Sequence, residues 1–136
     1  MIAPGANAAA AAPQLRVAVS AATVRPHQRY AITVTGRYGL VASGAPHMLA
    51  FLQYSRASCK RTATAEYRLP GREWDWVFGH VHQQAEDRSP FKAVADWTAG
   101  TGLGRRRVCA YLYWTDISPQ STVKPVATAS ASFRNI

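Results

Sequence analysis

A chain of 136 residues with 48% apolar and 17% charged residues is the size of one globular domain with one core, which excludes wholesale disorder. Its formal charge of +9, from 16 Lys and Arg against 7 Asp and Glu, favours acidic partners. No uninterrupted apolar run reaches the roughly 18 to 20 residues of a membrane-spanning helix, so no span is predicted.

Residues 1–13 are nearly all alanine with proline, glycine and one asparagine. They lack the basic start and long apolar segment of a signal peptide, but Ala6-Asn7-Ala8 and the alanines after it resemble a small-residue cleavage region. This segment reads as a disordered Ala-rich leader, a signal-peptide remnant, and the folded domain is assigned to 14–136.

From Leu15 onward the period is two. Leu15, Val17 and Val19 alternate with Arg16, Ala18 and Ser20, the pattern of a half-buried strand, which Val24 extends until Pro26 stops it. Tyr30, Ile32 and Val34 alternate with Ala31, Thr33 and Thr35, and Gly36 closes the second strand. A Gly/Ser/Pro-rich link at 39–46 leads to the nearly continuous apolar strand Met48 to Tyr54. Residues 60–88 are less regular. Thr62 to Arg68 is expected as an edge strand, Pro70-Gly71 as a turn, and Glu73 to Phe78 as a strand or an aromatic loop. Regularity returns with Phe91, Ala93, Ala95 and Trp97 alternating with Lys92, Val94 and Asp96. Gly100, Gly102 and Gly104 mark a turn, followed by strands at Arg107 to Trp114 and Val126 to Phe133. No window carries a sustained helical period and no repeat is present. About seven short strands separated by turns predict an all-β, antiparallel β-sandwich.

Cys59 and Cys109 are the only cysteines, each beside an alternating stretch. Such a pair suggests one structural disulfide and hence an oxidising compartment; two unpaired buried thiols or a metal half-site are the alternatives.

The segments Leu15-Arg-Val-Ala-Val-Ser20, Tyr30-Ala-Ile-Thr-Val-Thr-Gly36, Ser89 to Trp97, Arg107-Val-Cys-Ala-Tyr-Leu112 and Val126 to Phe133 carry a resemblance. Their order, with one cysteine after the third strand and one near the start of the penultimate strand, is similar to the small secreted immunoglobulin-like (Ig-like) domains of many actinobacterial proteins. The likeness covers roughly residues 15–59 and 89–134. Antibody-type domains bridge the second strand to the penultimate one and place a tyrosine two residues before the second cysteine. Here that position is Arg107, and no cysteine lies in Tyr30 to Gly36. The Ig-like order therefore implies a different bridge, Cys59 to Cys109, within one sheet, where the end of the third strand lies beside the start of the penultimate one. Closing 50 positions is worth roughly 4 kcal/mol in the chain-entropy description, a large share of a typical net stability.

The same arrangement assigns faces. With Val108, Ala110 and Leu112 toward the core, Cys109, Tyr111 and Tyr113 face outward; with Met48, Ala50 and Leu52 inward, Leu49, Phe51 and Gln53 face outward. Leu49, Phe51, Tyr111 and Tyr113 thus form a candidate partner-binding face, unless residues 60–88, with Trp74, Trp76 and Phe78, fold back to cover it. Because that segment is too aromatic for a free loop, the cover is favoured.

Chemistry-bearing patterns are sparse. His80-Val81-His82 with Glu86 or Asp87 has no third ligand fixed by spacing, and a solvated loop is the simpler reading. Glu73/Asp75 and Glu86/Asp87 read as surface ion pairs rather than a glycosidase dyad. No nucleophile elbow, phosphate loop or dinucleotide fingerprint occurs, so neither enzymatic activity nor a cofactor is expected. The strongest charge feature is Arg105-Arg106-Arg107. With Arg56, Lys60 and Arg61 beside Cys59, the implied bridge gathers a basic cluster at one end of the sandwich. Lys60, Arg61, Arg105, Arg106 and Arg107 are candidate polyanion-binding residues. Thirteen of the 16 basic residues are arginine, which with the alanine content is also what GC-rich coding yields, so charge by itself assigns no partner. No recognition helix or stacking platform favours nucleic acid. The expectation is a secreted, non-enzymatic Ig-like structural or interaction module of the cell surface, envelope or medium, with an unidentified protein partner. The runner-up is a basic protein that binds an anionic envelope polymer, a heparin-like glycan or nucleic acid.

Overall fold

The computed structural model describes residues 12–37, 47–54, 58–71, 73–82, 91–113 and 123–136. Residues 1–11, the 39–46 link, Arg56, Glu86 and Asp87 lie outside the described residues. Among the described residues eight strands occur in chain order: β1 (Gln14–Val19), β2 (Thr23–Val24), β3 (Arg29–Arg37), β4 (His47–Gln53), β5 (Trp74–His82), β6 (Phe91–Thr98), β7 (Gly104–Tyr113) and β8 (Ala127–Asn135). A short helix, α1 (Ala63–Tyr67), stands between β4 and β5. None of the described helices is long and apolar enough to cross a membrane.

The strands form two sheets, β1-β3-β6 and β2-β8-β7-β4-β5, and the molecule is an all-β, Ig-like sandwich. The alternation read from the sequence is what lets each sheet bury one face. In β3, Tyr30, Ile32 and Val34 point into the core while their neighbours remain half-exposed; in β6, Phe91, Ala93 and Trp97 do the same. The second sheet supplies Met48, Ala50 and Leu52 from β4, and Val108, Ala110 and Leu112 from β7. The third and sixth long strands, β4 and β7, are antiparallel neighbours, with Leu52 opposite Val108 and Met48 opposite Leu112.

Val24, expected to extend the first strand, instead belongs to β2. The chain leaves β1 and joins the other sheet, parallel to β8, with Val24 opposite Asn135. Pro26 and His27, whose φ is 68°, then turn it back, and the turn is closed by Gln28 N donating to Arg25 O at 3.0 Å.

One expected strand is a helix. Thr62 to Arg68 alternates small and polar residues and reads locally as an edge strand, yet residues 63–67 are helical. Thr62 is the N-cap, its Oγ1 accepting from Ala65 N at 3.1 Å, and Ala63 and Glu66, three apart on one helical face, are both buried. Tertiary burial of that face outweighs the local period.

Gly36 marks a close approach between strands. A Cβ there would lie 2.5 Å from Gln14 O and 2.7 Å from the Phe91 ring. Gly36→Ala must therefore push β1 or Phe91 aside, and a loss of about 1–3 kcal/mol of stability is expected in denaturant unfolding.

Candidate functional site

The outer face of the five-stranded sheet holds the sites the sequence singled out. Cys109 lies opposite Phe51, in the middle of the β4–β7 pair, and is bonded to Cys59, with Cα atoms 5.7 Å apart. The expected bridge forms, but not within one sheet at the end of the sandwich, where the Ig-like order implies it. Cys59 is not part of β4; it belongs to the segment that doubles back from the strand over the sheet. The bridge pins a cover to the face instead of stapling strand ends.

Leu49, Phe51, Tyr111 and Tyr113 face outward, as alternation requires, but are 3%, 0%, 1% and 1% exposed. They are not a free partner-binding face. With Ala63 and Cys109 they form a second core, on which Cys59 and Trp74 pack. The segment from Cys59 through α1 covers it. Two tyrosine hydroxyls reach up from β7 to hold the cover's backbone: Tyr113 Oη accepts from Ala63 N at 2.9 Å, and Tyr111 Oη donates to Lys60 O at 2.6 Å. Burial pushes both phenols up from their ordinary range, so they stay neutral.

From α1 the Glu66 carboxylate points back down and is completely buried. It accepts from Lys60 N at 2.8 Å and from Gln53 Nε2 at 3.1 Å. Burial pushes its carboxyl up against the opposing pull of these hydrogen bonds and of the Lys60 charge. Its oxygen also lies within 4.8 Å of the sulfurs of Cys59 and Cys109. Two sulfurs joined to each other offer no thiolate, so this trio is not a metal site while the bridge is intact.

The aromatic residues expected in the cover divide. Trp74 and Trp76 stand on β5, beside β4 in the same sheet, and both meet Phe51, Trp74 in a T-shaped contact at a ring-centroid distance of 5.3 Å and Trp76 stacked at 4.5 Å. Trp74 Nε1 ties the cover down by donating to Leu69 O at 2.9 Å. Phe78 instead packs on the inter-sheet core. The cause is a register shift: Phe51 faces Trp76 but Ala50 faces Phe78, leaving Val77 as an extra residue that reverses the alternation. Tyr67 and Trp76, 6.0 Å apart, remain partly exposed at this edge. His80 and His82 lie on β5.

The basic cluster is redistributed by the same period of two. Arg106 is on the inner side of β7: its Nη2 donates to Gly102 O at 2.8 Å and its guanidinium lies 5.1 Å from the centre of the Tyr54 ring. It locks the end of the sandwich and does not join the others. Arg105 and Arg107 fall on the outer face with Cys109. Arg107 Nε donates to Ser132 Oγ, its cross-strand partner, at 3.3 Å. Lys60 and Arg61 are exposed on the cover beside the bridge. Sequence reading missed Arg134, which stands directly opposite Arg105 on β8, and the exposed hydroxyl row Thr128, Ser130 and Ser132. The alternation of β8 could have flagged both, but only the β7–β8 register puts them beside the arginines. A groove of about 410 Å³ runs between Lys60 and Arg61 on one side and Thr128 and Ser130 on the other, with Tyr111 and Cys59 in its lining.

No protein-family model matches the chain, and no curated protein matches it in sequence. Solved structures do match in fold. A CARDB domain from Pyrococcus furiosus, determined in complex with di-metal ions, superposes with a TM-score of 0.55 at 8% identity over 90% of this chain and 91% of that one. The alkylpurine DNA glycosylase AlkC of Pseudomonas fluorescens, bound to DNA containing an abasic-site analogue, gives 0.51 at 10% identity over 92% of this chain. A β-glucosidase of Erythrobacter marinus gives 0.52 at 12% identity over 91% of this chain. This chain spans only 30% of the glycosylase and 15% of the β-glucosidase. At these identities the likeness is one of fold.

Two outcomes are expected for the cover. Replacing both cysteines by serine should cost about 2–5 kcal/mol in unfolding experiments and increase binding of a hydrophobic dye, as the second core opens. Because burial raises the Glu66 carboxyl, the folded chain holds this proton more tightly than the unfolded chain. That contribution is complete below the ordinary glutamate range and is lost as pH rises through the raised folded value. Glu66→Gln should remove it, so the melting temperature of the variant relative to the parent should rise between pH 4 and pH 8.

Proposed function

We propose that the chain is a non-enzymatic Ig-like interaction module that works outside the reducing cytosol, at the cell surface, in the envelope or in the medium. The observation that carries this reading is the bridge. A five-residue helix and its flanking loop have no stability of their own, and here they are held over an aromatic face by one disulfide. A protein whose second core depends on an oxidised pair belongs in an oxidising compartment. The buried polar groups of that core are also spent on the fold: Glu66, Gln53, Tyr111 and Tyr113 bind the cover to the sheet. Occurrence of the same fold as a segment of longer chains is in keeping with a modular role.

A second reading, a basic polyanion-binding protein, is favoured by the outer face of β7 and β8. Neither strand contains an Asp or Glu, and exposed cations from β7, β8 and the cover share that face.

Alkylation of the native protein before and after reduction, read by mass spectrometry, tests the first reading. Cys59 and Cys109 should be protected until a reductant is added; free thiols in protein taken directly from its cell would remove the extracellular assignment. Capture with the oxidised domain at the native cell surface should then retain a partner that a salt wash either keeps, favouring a protein, or releases, favouring a polyanion.

A further inference from the structure

We infer that the outer face of β7 and β8, with the groove beside it, binds a polysaccharide bearing sulfate or phosphate groups; this rests on the second reading above and gives it a site and a ligand class. Arg105 and Arg134 face each other directly across the β7–β8 ladder and both are exposed. Like charges in that position oppose strand pairing. The described Asp and Glu side chains do not offset them: Glu66 is buried under the cover, Glu73 precedes β5, Asp75 is at its start, and Asp96 is in the other sheet. An unfavourable pair is relieved by an anion that bridges both guanidinium groups.

Further along β8, Ser130 and Thr128 form one wall of the groove, and Lys60 and Arg61 form the other. Hydroxyls that donate on one side and cations on the other suit a tetrahedral oxyanion. Outward hydroxyls and then a cation line β8 along about 20 Å from Thr128 to Arg134, so the surface suits a chain of anions more than a single ion.

The ligand class follows from what this strip lacks. Among the described residues its only aromatic, Tyr111, is 1% exposed, with its hydroxyl committed to Lys60 O. The exposed rings, Tyr67 and Trp76, are on the side of β5, with β4 and β7 between them and β8. Bases of a single-stranded nucleic acid would find no ring to stack on among the described residues here. A polymer that carries its anionic groups on sugar rings, with no bases left unstacked, is the better fit.

The test measures binding to a heparin octasaccharide, the same octasaccharide desulfated, a phosphorylated oligomannose and an oligo(dT) of matched charge, each across a salt series. Three oxidised variants are compared with the parent: Arg105→Ser with Arg134→Thr, Lys60→Ser with Arg61→Ser, and a control on the opposite sheet, Arg29→Ser with Lys92→Ser. Each site pair should weaken sulfated or phosphate polymer binding by about tenfold or more and lower the salt slope by one to two, while the control changes affinity less than about twofold. Ser130→Glu, which places a carboxylate in the groove, should abolish binding. Loss of the Arg105/Arg134 repulsion should leave the melting temperature unchanged or higher, separating lost binding from lost folding. The tighter of the sulfated and phosphate polymers identifies the source of the oxyanion. Equal weakening by the control pair overturns the site while leaving polyanion binding standing. Equal affinity for oligo(dT) or for the desulfated octasaccharide overturns the ligand class. Absence of binding by the parent at low salt overturns both the site and the reading on which it rests.

Discussion

The structure depends on how the two central strands of the larger sheet are buried. A two-layer sandwich covers one face of each sheet, and the other face ordinarily meets water. β4 and β7 do not follow that rule: nearly every residue from Met48 to Gln53 and from Val108 to Tyr113 is buried. Their outward residues are large and aromatic, so leaving them bare would expose a patch of the kind that causes association. The chain solves this with the excursion between β4 and β5. That excursion is too short to be stable by itself, so its position comes from attachments to the sheet. One is covalent, at Cys59 and Cys109; the others are the hydrogen bonds of Tyr111, Tyr113, Glu66 and Trp74.

These attachments explain why polar groups sit in an apolar second core. The Tyr111 and Tyr113 hydroxyls satisfy backbone groups of a loop that has no ladder of its own. Glu66 does the same for Lys60 N and Gln53 Nε2. A buried carboxylate is costly, and its raised carboxyl range records that cost. In return it fixes where the cover lies relative to β4, which a purely apolar contact would leave free to slide.

The cover also shapes the surface. Lys60 and Arg61 are positioned because Cys59, immediately before them, is tethered to β7, and Lys60 is held at both backbone atoms. The groove they wall exists only while the cover is in place. Protection of the aromatic face and construction of a cationic edge are therefore two results of the same bridge. The fold itself, shared with domains and enzyme segments of different kinds, does not select among functions.

How much of this was legible in the sequence depends on how local the cause is. Alternation of Tyr30, Ile32 and Val34, or of Val108, Ala110 and Leu112, reports which side chains share a face, because successive Cβ atoms on a strand point to opposite sides. From that alone came the all-β sandwich, the inward and outward sets of β4 and β7, and the need for a cover. The two cysteines, with the Ig-like order, implied the bridge. Other features depended on pairing between distant segments. The helix at 63–67 forms because Ala63 and Glu66 gain burial against a sheet 50 residues downstream in part, as the Ala63 to Tyr113 hydrogen bond records. Phe78 turns inward because Val77 has no partner on β4. Arg106 leaves its two neighbours because strand geometry sends it to the other face, and Arg134 joins them because the β7–β8 register sets it opposite Arg105. The sequence by itself determined the faces of each strand, since that is a property of one backbone. Only the tertiary structure decided which faces meet, since register, bulges and the path of the cover are set by contacts between strands.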